Sequence, residues 1–185
     1  GWQVADYLRA NAGELGLYRI VDEIYQGLVY DVDDDTLGSV LEVDDDAFVV
    51  NSFSKYFNMT GWRLGWLVAP ADYVREIERL AQNAYICPSA PAQAAALAAF
   101  RPETIAVLEE RRAEFQRRRD FLVPALRDLG FEVPLMPEGA FYVYADCSRL
   151  TGDSERFAME VLEKVGVAIT PGRDFCTHRA TLHVR

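Results

Sequence analysis

The sequence predicts a mixed α/β fold, because short strand-like runs alternate with segments of helical periodicity along its 185 residues. The apolar, β-branched run at residues 48–50 is typical of a buried strand. Residues 72–85 carry an apolar stripe on one side, as an amphipathic helix does. Half of the residues are hydrophobic, which is ample for a core in one or two domains. A composition shift at Arg101-Pro102 predicts a domain boundary, with domains at 1–101 and 102–185.

In the first domain, residues 2–16 have helical spacing and residues 17–25 form a strand of buried character. Two acidic runs follow, at 31–35 and 42–46. They fit a calcium loop poorly, since Thr36 stands where the turn needs glycine. We therefore predict solvated loops and no metal site. A further apolar run at 66–69, the helix at 72–85 and an alanine-rich helix at 92–100 complete this domain.

In the second domain, apolar residues recur at helical spacing over 103–129, with Pro124 expected to kink or split the helix. A second helix is predicted at 153–166, with Asp153 or Ser154 as its cap and Gly166 as its stop. The remaining apolar or alternating runs predict strands at 131–134, 139–145, 167–170 and 181–185.

The charge balance excludes some classes of partner. With 29 acidic and 19 basic residues the net charge is −10, which argues against nucleic acid or an anionic membrane surface. The arginines at 117–119 alternate with acidic residues, as on a solvated helix face. No apolar run approaches the ~20 residues that span a bilayer.

Three cysteines without metal-like spacing predict reduced thiols and a cytoplasmic protein. The first residues form neither a signal nor a transit peptide, and methionine does not come first. We expect a piece of a longer chain.

Asp22 and Lys55 follow the two clearest strand-like runs of the first domain. A carboxylate after Ile20 and Val21 either caps a turn and faces water or pairs with a buried cation. An amine beside apolar residues such as Phe57 loses solvation, which favours its neutral, nucleophilic form.

Arg63 lies eight residues after Lys55, between two glycines. A lysine, hydroxyls and an arginine at the end of a strand can hold an anionic ligand that bears a carbonyl group. The alternative is a surface lysine in a loop and an arginine in a structural ion pair.

The segments Ser52-Phe-Ser-Lys55 and Gly61-Trp-Arg63-Leu-Gly65 resemble the cofactor-lysine segment of the class I/II aminotransferases. These are fold-type-I enzymes of the aspartate-aminotransferase type that use pyridoxal 5'-phosphate. The resemblance implies that Lys55 forms the Schiff base and that Ser52 and Arg63 bind the cofactor phosphate. It also implies the C-terminal part of a large domain, with a mostly parallel sheet and flanking helices, followed by a small α+β domain truncated at its end.

Two further segments are similar to the same family. In Asp22-Glu-Ile-Tyr25, the resemblance implies that Asp22 pairs with the pyridine nitrogen and Tyr25 with the phenolic oxygen of the ring. Glu23 should point the opposite way and be structural. After the Pro171-Gly-Arg-Asp-Phe175 loop, Arg185 matches the arginine that binds the substrate's α-carboxylate. The alternative is an exposed terminal arginine.

The family implies amino-group transfer between an amino acid and a 2-oxo acid, by a homodimer. The match covers almost the whole chain but about half of the family's fold, so we predict that the 185-residue chain alone is inactive. Three alternatives stay open: a lyase or synthase on the same fold, the effector domain of a transcription regulator, and a catalytically silent interaction protein.

Overall fold

The computed structural model describes residues 7, 11, 16–31 and 38–185, and the helix predicted at 2–16 lies almost entirely outside them. The chain divides into two compact units, Gly1–Arg112 and Ala113–Arg185. This division falls inside a helix, whereas the composition shift lies at that helix's start. The boundary predicted at 101/102 stays a prediction.

The first unit contains a three-stranded sheet in the order β1-β2-β3. Its strands are β1 (Ile20–Asp22), β2 (Phe48–Ser52) and β3 (Gly65–Val68). β1 pairs with β2 in parallel, with Asp22 opposite Val50. β3 runs antiparallel to β2, with Ser52 opposite Gly65. The strands predicted around 17–25, 48–50 and 66–69 are therefore confirmed with shifted bounds. The buried character predicted for the first is wrong, because Ile20 is 72% exposed.

Close approach of backbone explains the glycine at the start of β3. A Cβ atom at Gly65 would lie 2.6 Å from the carbonyl oxygen of Asn51 on β2. A larger residue would push the two strands apart at the point where β2 ends and the Lys55 loop begins. All four positions of β3 are exposed in the structure.

Helices α1 (Ala71–Ala84) and α2 (Ala90–Ala99) follow β3, as predicted. The apolar stripe of α1 is not buried, and Leu80 on it is 70% exposed. α2 behaves differently, because Ala96 and Ala99 are small enough to let the helix pack against Phe53 and Met59. This cluster is the core beneath the Lys55 loop.

The long helix α3 (Pro102–Asp128) crosses the division between the units and continues through Pro124 without a break. Of the predicted kink or split at this proline, the split is therefore wrong. Its N-terminal proline occupies a helical position where a missing N–H costs nothing.

The second unit has its core around Val123, Val133 and Ala145. Helix α4 (Ser154–Val165) begins at Asp153, whose side chain accepts hydrogen bonds from two backbone N–H groups, and ends at Gly166 in the left-handed conformation. Of the two predicted caps, Asp153 is the one used.

The predicted strands of this unit are mostly wrong in extent. β4 (Ala145–Asp146) pairs with the antiparallel β5 (His183–Val184). Residues 139–144 and 167–170 form no strand, and the 131–134 run contributes a single bridge from Glu132 to Asp146. Alternating apolar residues can pack on a core without ladder partners, and here few backbone groups find one.

The acidic runs differ from the prediction at one residue. Asp44 is buried, and its carboxylate forms a bidentate pair with the Arg19 guanidinium, including a 2.7 Å bond from Nη2. The prediction of a solvated loop is therefore wrong for Asp44, because an arginine distant in sequence neutralises its carboxylate. Glu42, Asp45 and Asp46 are exposed, as predicted. Residues 32–35 of the other run lie outside the described residues.

Glu23 has the structural position that was predicted. It accepts hydrogen bonds from the Ser39 hydroxyl and the Val40 N–H, which secures a short 3-10 turn at Val40–Glu42. Among the described residues, no helix is both long and apolar enough to cross a membrane.

Replacing Asp44 by asparagine should destabilise the first unit by about 2–4 kcal/mol, because it leaves the charge of Arg19 without its partner in a largely buried place. Asp45→Asn, at the exposed neighbouring position, is the matched control and should change the free energy of unfolding by less than about 0.5 kcal/mol. Urea unfolding measures both. Equal losses in the two variants would contradict the importance of the buried pair.

Candidate functional site

The structure places five predicted site residues in the first unit: Asp22, Tyr25, Ser52, Lys55 and Arg63. Because β1 and β2 are parallel, their carboxyl ends lie at the same edge of the sheet, and the segments that follow both strands start there. Ligands of open α/β sheets bind at such ends. The sixth residue, Arg185, lies in the second unit.

Lys55 and Tyr25 are brought together. The Lys55 ammonium nitrogen lies 5.2 Å from the centre of the Tyr25 ring, within the range of a cation–π contact. Lys55 lies in a loop after β2, and Tyr25 lies in a turn after β1. Thirty residues separate them in sequence, and the parallel pairing brings them into contact.

Asp22 ends β1 and is exposed. Its Oδ1 accepts a hydrogen bond from the Ile24 N–H at 3.1 Å. This is the turn-capping geometry that the sequence left open as one alternative. A carboxylate can accept several hydrogen bonds, so this bond leaves capacity for a second partner.

Ser52 is the last residue of β2, and Arg63 lies near the end of the loop that joins β2 to β3. The Ser52 hydroxyl donates to the Leu64 carbonyl at 3.3 Å and accepts from the Ser54 N–H at 3.0 Å. Arg63 is exposed and adopts the left-handed conformation with φ 52°. Its Nη1 donates to the Thr60 carbonyl at 2.9 Å. The Ser52 hydroxyl is therefore bonded to the backbone of the residue that follows Arg63.

A cleft of about 310 Å³ lies beside Ser52, lined also by Gly27, Asn51, Trp66 and Phe100 among others. Lys55 is not part of its lining. The cleft and the predicted set of site residues therefore share Ser52 and do not coincide.

Arg185 follows β5 at an exposed position, and its guanidinium carbon lies 3.9 Å from the ring centre of Phe175 and 4.4 Å from that of Tyr142. Aromatic rings cover a guanidinium through its faces and leave its N–H edge available for a carboxylate. The backbone of Arg185 exchanges two hydrogen bonds with Thr170. The arginine is therefore held by both backbone and side chain.

A buried carboxylate supports the strand that precedes Arg185. Asp146 accepts hydrogen bonds from Ser148 and from Arg179 Nη2, the latter at 2.9 Å, and His183 Nε2 lies 3.9 Å away. The hydrogen bond from the Ser148 side chain is the largest cause that lowers the pKa of Asp146, and Arg179 and His183 add to it against the effect of burial. The sequence did not single out this cluster.

The hydroxyl of Tyr56, the residue after Lys55, donates a hydrogen bond to Glu109 Oε1 at 2.6 Å. The three-residue spacing of Glu109 and Arg112 on a helix predicts an ion pair between them. No sequence signal connects that pair to Tyr56, which is 53 residues away.

The family model for aminotransferase class I and II matches residues 6–185. The chain belongs to the class I and II aminotransferases. This confirms the resemblance seen in the Lys55 and Asp22 segments.

The relatives of this aminotransferase chain are longer than the chain itself. A valine–pyruvate aminotransferase of Mycobacterium tuberculosis is 45% identical over 166 residues, which cover 90% of this chain and 42% of the relative. An aspartate/prephenate aminotransferase of Thermus thermophilus is 35% identical over 185 residues, covering 99% and 46%. The chain spans less than half the length of these curated relatives.

Solved structures confirm the fold-type-I architecture. The crystal structure of an aminotransferase from Mycobacterium tuberculosis superposes with a TM-score of 0.89 at 42% identity, over 98% of this chain and 46% of that one. A double mutant of Thermus thermophilus aspartate aminotransferase gives 0.87 at 34% identity, over 100% and 47%.

The Asp146 cluster predicts a pH dependence of stability. Because the pKa of Asp146 is lowered on folding, its contribution is complete above the ordinary aspartate pKa of about 3.9 and is lost as the pH falls through the folded pKa. Asp146→Asn should therefore be less stable than the wild type at pH 7, and the difference should shrink below about pH 4. Chemical unfolding at several pH values measures this. The exposed Asp174→Asn is the control, and a difference for Asp146→Asn that does not vary with pH would contradict the prediction.

Proposed function

We propose that this chain carries the lysine-bearing part of a pyridoxal-5'-phosphate aminotransferase site, which moves an amino group between an amino acid and a 2-oxo acid. The observation that carries the proposal is the contact of the Lys55 amine with the Tyr25 ring beyond two parallel strands, in a chain of this family. Fold-type-I aminotransferases generally depend on this cofactor.

The chemistry of the donor set fits pyridoxal phosphate. Ser52 and Arg63 would bind the phosphate, since a guanidinium pairs bidentately with phosphate and a hydroxyl fills a further acceptor. Asp22 would hold the pyridine nitrogen in its protonated form, and Tyr25 would donate to the ring's phenolic oxygen. Lys55 would bond covalently to the aldehyde. When bound, the cofactor supplies an electron sink for the negative charge that develops on the substrate's Cα.

The residues of this chain have distinct tasks in the proposed reaction. After the substrate's amine displaces Lys55 from the aldehyde, the freed Lys55 amine would be the base that removes the proton from the substrate's Cα. Arg185 orients the substrate through its α-carboxylate, and the rings of Phe175 and Tyr142 hold the guanidinium for that task.

The names of the relatives support transfer of an amino group over the lyase or synthase alternative. One is a valine–pyruvate aminotransferase and another an aspartate/prephenate aminotransferase. Their different amino acids leave the substrate of this chain open within the class of amino acids and 2-oxo acids. The homodimer, the cytoplasmic location and the inactivity of the isolated chain stay predictions.

The covalent role of Lys55 can be tested with a matched control, because the chain contains two lysines, Lys55 and Lys164. In the full-length protein, Lys55→Ala should abolish the visible absorbance band of the bound cofactor. Lys164→Ala, on the exposed face of α4 where the side chain pairs with Glu160, should retain it.

Borohydride reduction and peptide mass spectrometry give a second measurement. The mass of the reduced cofactor should appear on the Lys55 peptide. A band that survives unchanged in Lys55→Ala, or a label on Lys164, would exclude Lys55 as the cofactor lysine.

The role of Arg185 predicts a loss specific to carboxylate substrates. Arg185→Gln should lower kcat/KM for an α-amino acid about a hundredfold, because a charge-assisted, bidentate pair is lost. Arg173→Gln removes an exposed arginine of the preceding loop that pairs with Glu155, and should change kcat/KM less than about twofold. Steady-state kinetics with the amino acid and with the amine that lacks its carboxylate separates the effects. An equal loss on both substrates would refute carboxylate binding.

A further inference from the structure

The Lys55 loop contacts the Tyr25 turn at two successive positions. Lys55 lies over the Tyr25 ring, and the next residue, Tyr56, packs against Gly27. The second contact is so close that a Cβ atom at Gly27 would lie 2.6 Å from Cγ of Tyr56. The position of Tyr56 therefore fixes how near the loop comes to the turn.

Hydrogen bonds hold Tyr56 in that position. Its hydroxyl donates to Glu109 Oε1 at 2.6 Å, and Glu109 Oε2 accepts from Arg112 Nε at 2.6 Å. Arg112 Nη1 then donates to the carbonyl oxygen of Val29 at 3.0 Å. Val29 follows the Tyr25 turn, so this Tyr56 network (Tyr56, Glu109 and Arg112) begins on the lysine loop, passes through α3 and returns to the segment that carries Tyr25.

Near neutral pH, the Tyr56 phenol stays protonated and the Glu109 carboxylate stays charged. Burial, and then the hydrogen bond to Glu109, raises the pKa of Tyr56 to about 12, so the phenol remains a donor. Burial acts to raise the pKa of Glu109, but the hydrogen bonds from Tyr56 and Arg112 outweigh it and lower that pKa. A phenol donating to a carboxylate is a charge-assisted bond, stronger than a bond between neutral groups.

We propose that Tyr56, held by Glu109 and Arg112, is a positioning residue that fixes Lys55 relative to Tyr25. The inference rests on the proposed function of Lys55 and Tyr25. The aldehyde and the phenolic oxygen are neighbouring substituents of the pyridoxal ring, so an amine and a phenol that serve them need a fixed separation. A lysine side chain is flexible, and the backbone beside it is what neighbouring residues can hold.

The network is partly exposed, so its effect on the position of Lys55 can be measured apart from its effect on folding stability. The side chains of Arg112 and Glu109 are 32% and 44% exposed. Breaking a pair at such a surface costs little folding free energy. Variants of the network should therefore fold normally while the geometry at Lys55 changes.

The test compares Tyr56→Phe with Tyr73→Phe in the full-length protein. Both remove one phenolic hydroxyl, and the Tyr73 hydroxyl lies on exposed α1, 3.1 Å from the Tyr18 hydroxyl. Tyr56→Phe should raise the Kd for pyridoxal phosphate about three- to tenfold, as expected for one lost hydrogen bond, and should shift the pH midpoint of the visible cofactor band. Tyr73→Phe should change neither quantity.

Two Glu109 variants add a graded control. Glu109→Gln keeps an acceptor for the Tyr56 hydroxyl and should preserve most of the wild-type Kd and midpoint. Glu109→Ala should reproduce the effect of Tyr56→Phe, and it decides the question by the same measurements if Tyr56→Phe does not fold.

The outcomes distinguish the two proposals. If the wild type binds the cofactor through Lys55 but Tyr56→Phe and Glu109→Ala leave the Kd and the midpoint unchanged, the positioning role is overturned and the proposed function stands. A lower unfolding temperature with unchanged cofactor spectra has the same meaning. A wild type without a visible band, or with one that survives Lys55→Ala, overturns the proposed function and the positioning role together.

Discussion

The parallel pairing of β1 with β2 is the constraint on which the candidate site depends. A three-residue strand has little stability of its own, and its register is held by backbone hydrogen bonds to β2 and by the bond from the Glu23 N–H to the Val50 carbonyl. With Asp22 opposite Val50, the turn that carries Tyr25 and the loop that carries Lys55 both start at the edge formed by the carboxyl ends of the strands. The relative placement of these segments depends on that register, because a slip of one residue would turn the Asp22 side chain to the opposite face of the sheet.

The loop after β2 is held in a defined conformation by apolar packing and backbone hydrogen bonds. Phe53 anchors it in the apolar cluster with α2, and the Met59 N–H donates to the Phe53 carbonyl across the loop. Small side chains on α2 are what allow this approach. The polar residues of the loop can therefore face outward from a rigid base, which is the arrangement that precise binding sites use.

In the second unit, the candidate site residue is a cation, Arg185, and it too is held by neighbouring groups. Asp146, Arg179 and His183 secure β4 against β5, and the two aromatic rings then cover Arg185. Here a buried carboxylate is satisfied by several donors, so its charge is retained at modest cost. In the first unit the pair of Asp44 and Arg19 does the same for an acidic run that composition alone predicts to be solvated.

The sequence by itself determined the family, the dense motif around Lys55, and the helices α1, α2 and α4 to within two residues at each end. These depend on local periodicity, capping residues and residue spacing, all of which a single sequence contains. Only the tertiary structure decided the short extent of the strands in the second unit, the burial of Asp44 and the partner of Tyr56. Each of these depends on which groups meet across a long stretch of chain. Tyr56 shows the reason most clearly. Its ring can pack as an apolar neighbour of Lys55, and the carboxylate that accepts its hydrogen bond lies on a helix 53 residues further along.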